Sequence, residues 1–98
     1  MKTTHKIYFE DSKNMRIIPS SSVHLVVTSP PYPMIEMWDE MFVSQNTNIL
    51  QALINLDGYK AFELMHRQLD PVWKELYRIL IPGGFACIVI GDADAAEL

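Results

Sequence analysis

Two short runs of the chain are almost purely apolar, and the stretch between them carries helical periodicity. Residues 23–28, VHLVVT, place apolar side chains at four of six positions with no strict alternation. That pattern predicts a strand covered on both faces, as in a parallel sheet. Phe85 to Ile90 is apolar throughout and is followed by a small acidic turn, GDA, which predicts a second strand of the same kind. Between them, Ala61, Phe62, Leu64, Met65 and Leu69 recur at three and four residues, and Val72, Trp73, Leu76, Tyr77, Ile79 and Leu80 repeat the spacing after Pro71. Proline suits a first helical position and Asp70 suits the cap before it. Two helices, or one sharply kinked, are therefore expected to meet at Pro71. Pro82, Gly83 and Gly84 are expected to end that helical stretch, with a glycine supplying the left-handed cap.

The flanking segments give weaker patterns. His5–Phe9, HKIYF, predicts a short strand, with Asp11 or Ser12 capping a helical turn that Pro19 and the serines after it end. Residues 39–56 read as loop plus one helix. Two buried strands joined by a helical crossover form a βαβ unit, so the expected class is α/β with parallel strands.

Composition narrows the use of such a fold. The chain has 98 residues, enough for one small domain or part of a larger one, and a net charge of −4. Bulk charge therefore does not grip nucleic acid, and any DNA contact must be local. The single cysteine, Cys87, excludes an internal disulfide; its place in an apolar run predicts a small buried hydrophobe in a reducing compartment. No apolar stretch nears the roughly 20 residues of a membrane span, and no signal-peptide core follows MKTTHK, so a cytoplasmic location is expected. His5, His24 and His66 lack metal-ligand spacing.

The chemistry concentrates where the first strand ends. In open parallel sheets ligands sit beyond the carboxyl ends of the strands. Residues 28–33 there read TSPPYP. Ser29 and Pro30 each precede a proline and are pushed to extended backbone. The prolines carry no N–H, so their carbonyls remain free acceptors. Ser29 adds a hydroxyl and Tyr32 a flat face. A rigid acceptor edge beside a stacking platform suits a planar ring bearing an amine. The same residues also satisfy P-x-x-P and would serve as a partner motif or a plain loop, but this copy follows a buried strand.

These residues, together with Asp11-Ser12 upstream and Glu75, Arg78, Ile79, Leu80, Pro82, Gly83, Gly84 and Gly91-Asp92 downstream, resemble the amino-methylating DNA methyltransferases. The resemblance is to the group whose catalytic motif precedes the cofactor-binding one, and it spans nearly the whole chain. It implies a partial Rossmann-like, S-adenosylmethionine-dependent fold. It also implies transfer of a methyl group to the exocyclic amine of a base flipped from duplex DNA. Ser29, Pro30, Pro31 and Tyr32 would form the catalytic loop, with Asp11, Ser12 and Thr28 at the cofactor. Hydrogen bonds from the amine to Ser29 and to the Pro30 carbonyl would localise its lone pair while Tyr32 stacks on the base. A serine at position 29 tilts the implied target toward cytosine N4 over adenine N6. Asp11 serves equally well as a helix cap, and Asp92 as a turn residue. Trp38 and Trp73 read as core, Trp38 close enough to the loop to line a pocket, and the charges from Glu63 to Arg78 read as a solvated helix face.

One family feature finds no counterpart. The aromatic-x-Gly-x-Gly loop that holds the cofactor's methionine part has no match around Gly58, Gly83, Gly84 or Gly91. The expectation is the N-terminal catalytic part of a methyltransferase domain over residues 1–98, without cofactor loop or target-recognition region. It would need a C-terminal half or second subunit, and alone would be inactive and prone to self-association. In the family's sheet two further strands separate the N-terminal strand from the other two, so that strand either re-pairs or leaves an open edge. The alternative is a noncatalytic remnant or binding module that keeps the fold.

Overall fold

The computed structural model describes residues 1–91; Asp92 and the rest of the acidic turn lie outside them. The order of elements is β1 (Val23–Thr28), a 3-10 turn (Glu36–Trp38), α1 (Asp39–Gln45), α2 (Thr47–Ile54), α3 (Gly58–Ile79) and β2 (Leu80–Ile88). β1 and β2 pair in parallel, so the α/β class and the helical crossover hold. The sheet has two strands among the described residues.

The core is helical. Phe42 on α1, Ile49 on α2 and Met65 and Leu69 on α3 form one buried cluster, with Met34, Trp38 and Trp73 packed against it. Ala61, Leu76 and Ile79 extend the buried stripe of α3. Sequence spacing of three and four residues around a 3.6-residue turn puts them on that one face. Asn46 caps α2 through the N–H of Asn48, and Asp57 caps α3 through the N–H of Lys60.

Several sequence expectations change. The loop plus one helix expected over residues 39–56 is two helices broken at Asn46, whose extended backbone ends α1 and starts α2. α3 runs through Pro71 as one 22-residue element instead of two. The ring removes a single backbone hydrogen bond, and the apolar stripe on both sides packs on the same core. The helix ends at Ile79, with Leu80 already extended, so the glycines do not cap it. They lie within β2 instead. The register advances five residues along β2, Leu80 to Phe85, against two along β1, Val23 to Leu25. Gly83 takes φ +80° in that bulge, and a Cβ on Gly84 would lie 3.2 Å from the His24 carbonyl oxygen.

The sheet is less covered than its apolar sequence implies. Leu25 is 55% and Val27 69% exposed on β1, and Phe85 is 72% exposed on β2. Cys87, expected buried, is exposed beside them, because it pairs with Val27 on the same uncovered face. Continuous apolar sequence describes a strand buried on both faces only when something covers both. Residues 5–9 form no strand, and Ile7 and Phe9 are 80% and 94% exposed. A strand needs a partner for its backbone groups, and the described residues offer none there. The turn expected to be helical at Asp11–Ile17 is a pair of turns closed by Asn14 N–H to Asp11 O and Ile18 N–H to Met15 O.

Candidate functional site

The TSPPYP loop leaves the carboxyl end of β1 and is fixed at both ends. The Val89 N–H donates to the Thr28 carbonyl at 2.9 Å, which extends the parallel pairing past Ile88 and ties the loop's start to the end of β2. At the other end, Ile35 N–H donates to Tyr32 O, closing a turn over Pro33 and Met34. Met34 has φ +67°, the position that such a turn demands and that a side chain resists. The core supplies the compensation. The Met34 side chain packs against the buried cluster, and its N–H points at the Met65 sulfur, 3.3 Å away.

Between these anchors the motif sorts by exposure. Pro30 is buried, Pro31, Tyr32 and Pro33 are half-buried, and Ser29 is exposed. The Ser29 hydroxyl and the Tyr32 phenol lie 3.0 Å apart, in hydrogen-bond contact. A hydroxyl has one proton and two lone pairs, so Ser29 keeps acceptor capacity while bonded to Tyr32. The Tyr32 ring lies against Gly91. A Cβ built on Gly91 would come within 2.7 and 2.8 Å of ring carbons Cδ2 and Cε2, closer than packed side chains approach. The strand ends thus meet as the sequence predicts, with Ser29, Tyr32 and Gly91 in one place. Asp92 lies outside the described residues.

Asp11 and Ser12 sit elsewhere. They line an open groove of about 220 Å³ with Tyr8, Glu10, Asn14 and Met15, which does not include Thr28, Ser29 or Tyr32. Asp11 caps its own turn, its carboxylate accepting from the Lys13 N–H at 2.9 Å. Trp38 packs on the core, and its indole N–H is buried without a partner among the described residues. Burial and the neighbouring Glu36 raise the carboxyl pKa of Asp39, at the start of α1.

One arrangement was not legible from spacing. Glu75 and Arg78, expected to face solvent, grip residues 15–20. The guanidinium donates to both Glu75 oxygens, at 2.9 and 3.0 Å, to the carbonyls of Met15 and Ile18, each at 2.9 Å, and to the Ser20 hydroxyl at 3.1 Å. Glu75 also accepts the Met15 N–H. The Arg78 side-chain bonds, followed by that backbone bond, hold the Glu75 carboxyl below its usual pKa. The E-x-x-R pairing was visible as a motif, but its partners sixty residues away were not.

Comparison with known proteins gives the chain a family. A family model described as DNA methylase matches residues 23–98. The type II methyltransferase M.MjaI of Methanocaldococcus jannaschii is 50% identical over 102 aligned positions, covering 93% of this chain and 34% of the relative. M.MthZI of Methanothermobacter thermautotrophicus, also a type II methyltransferase, is 50% identical over 94, covering 95% of this chain and 26% of the relative. The chain thus spans about a third or less of these relatives. No solved structure matches. With the strand-end SPPY loop in the matched region and half of all aligned residues identical, the chain belongs to the amino-methylating DNA methyltransferase family.

Proposed function

We propose that this chain is the base-holding part of a DNA methyltransferase that acts on the exocyclic amine of a flipped base, cytosine N4 in preference to adenine N6. The observation that carries the reading is the Ser29–Tyr32 contact at the carboxyl ends of both strands. Ser29 donates its proton to the phenol oxygen and turns its lone pairs outward to take an N–H of the base amine. The Pro30 carbonyl takes the other. An exocyclic amine is a poor nucleophile because its lone pair is delocalised into the ring. Holding both protons out of the ring plane localises that pair and aims it. The ring of Tyr32, seated on Gly91, offers a face to the base. No covalent bond to the protein is needed, and Cys87 takes no part.

S-adenosylmethionine, which the family generally uses, supplies the activated methyl group. Asp11, Ser12 and Thr28 are its proposed contacts in this chain. The groove at Asp11 and Ser12 offers carboxylate, hydroxyl and amide groups suited to the hydroxyls and amine of such a molecule. Its volume lies below the roughly 300–1,000 Å³ of a full ligand site, which fits an edge contact only. The remaining contacts, and the DNA target, then belong to a further C-terminal part or second subunit, consistent with the third or less of each relative that this chain covers.

Calorimetry with S-adenosylmethionine tests the reading, using this chain alone and mixed with the part of M.MthZI outside the aligned stretch, about three-quarters of that relative. Binding and methyl transfer are expected in the mixture, with N4-methylcytosine as the product and Ser29→Ala lowering the rate by about 10². Transfer that survives Ser29→Ala undiminished would sink the role of the loop, and N6-methyladenine as the product would overturn the choice of base.

A further inference from the structure

We infer that Glu75 and Arg78 are positioning residues that set the Asp11–Ser12 turn relative to the sheet; the purpose assigned to that turn rests on the reading above. The segment from Asp11 to Ser22 contains no helix or strand before β1, so its own backbone bonds cannot fix its path. Its anchors come from the end of α3. Each of the five guanidinium N–H groups of Arg78 has an acceptor: two on Glu75, two backbone carbonyls at Met15 and Ile18, and the Ser20 hydroxyl. Glu75 returns a bond by accepting the Met15 N–H. Met15 is thereby held through both of its backbone groups.

Two further sets of contacts extend the grip in both directions. The last carbonyls of a helix have no partner within it. Here Arg78 O and Ile79 O accept the N–H groups of Ser21 and Ser22, at 2.9 and 2.8 Å. At the other end the Lys13 ammonium reaches Gln45 on α1 at 2.6 Å and Gln68 on α3 at 3.1 Å. Residues 13–22 are thus laid along α3 and handed into β1. The Asp11–Ser12 turn projects from the clamped stretch, with Asp11 O bonded to Asn14 N–H. Lysine cannot replace Arg78 in this role, because an ammonium lacks the planar fork that serves a carboxylate and two carbonyls together.

Trypsin reads the clamp directly, because Lys13 and Arg16 lie inside it and Lys2 and Lys6 lie outside. A protease needs an extended, detached backbone, which the bonds to Met15 deny. In the full 98-residue chain, Arg78→Lys and Glu75→Gln are expected to speed cleavage after Arg16 at least tenfold, with cleavage after Lys6 unchanged and the far-ultraviolet circular dichroism of α3 retained. Arg78→Ala is expected to exceed Arg78→Lys, which still reaches one carbonyl. Equal cleavage after Arg16 in wild type and variants would overturn the clamp. A parallel rise at Lys6 with loss of helix signal would assign the pair to general stability instead and would overturn it too. Titration with S-adenosylmethionine in the mixture with the unmatched part of M.MthZI separates the two proposals. A weaker Kd in Arg78→Lys, with kcat at saturating cofactor unchanged, supports positioning. Faster cleavage with unchanged Kd leaves the clamp standing and removes the cofactor from the Asp11–Ser12 turn.

Discussion

At the scale of single residues, the site depends on how closely backbone approaches a ring. Gly91 is needed for space and not for a special dihedral, since a methyl group there would sit at 2.7 and 2.8 Å from Tyr32 carbons. Gly91→Ala is expected to displace the Tyr32 ring and break its bond to Ser29, at a cost in stability below about 1 kcal/mol because the strand end is exposed. Nuclear magnetic resonance of the Tyr32 ring protons checks this, and unchanged shifts would refute it. The placing of Ser29, Pro30, Pro31 and Tyr32 in a loop at the carboxyl end of β1 was legible in the sequence, because strand pattern and proline stiffness are local properties. The seat under Tyr32 was not, because it joins residues fifty-nine positions apart. Cys87 was misread for a related reason: an apolar neighbourhood in sequence became an open face in space.

At the scale of elements, α3 carries both the core and the clamp, and its two charged anchors give it a definite pH response. Glu75 has its pKa lowered by Arg78 and the Met15 N–H. Its contribution is complete above the ordinary glutamate value of about 4.3 and is lost as pH falls through the lower folded value. Asp39 has the opposite sign, its pKa being raised by burial and Glu36, so acidification favours the fold there. Subtracting a Glu75→Gln variant isolates the first effect. Between about pH 5 and pH 3 the wild-type urea midpoint is expected to fall more steeply than the variant's, and parallel curves would count against the pairing. Pro71 offers a second test. Proline in a helix interior costs about 3 kcal/mol against alanine, part of which it returns by stiffening the unfolded chain. Pro71→Ala is therefore expected to stabilise the chain by about 2 kcal/mol in urea unfolding; a loss of stability would mean that the ring packs in a way alanine cannot replace. The sequence predicted a break here because proline signals one locally, whereas the stripe Ala61, Met65, Leu69, Leu76 and Ile79 buries one continuous face. The long apolar patterns of β1, α3 and β2 survived as elements, whereas the weak patterns over residues 5–9 and 39–56 did not and the ends read from proline and glycine moved, because packing decides them.

At the scale of the molecule, surface area is the telling quantity. The chain exposes 7630 Å², where a compact monomer of 11.3 kDa exposes about 5,700 Å². Its radius of gyration of 16.0 Å likewise exceeds the roughly 13 Å of a compact chain of this length. The excess has an address. Leu25, Val27, Phe85 and Cys87 lie on one side of the sheet in direct register, all exposed, and Ile7 and Phe9 extend from the N-terminus. The parallel pairing and the α/β class were legible because they follow from two apolar runs and a crossover, but the covering of the sheet belongs to no local pattern. A face of this kind drives association when nothing else covers it. Sedimentation of the 98-residue chain is expected to show mass rising with concentration, and the pair Val27→Lys with Phe85→Lys to return it to monomer with the helix signal intact. Charges on a solvent-facing side cost little, whereas on a packed face they would unfold the protein. A monomeric wild type with a cooperative unfolding transition would show that the helical core alone is sufficient. If instead adding the part of M.MthZI outside the aligned stretch dissolves the association and the lysine pair blocks that rescue, the face that associates alone is the one on which a further part of the protein packs.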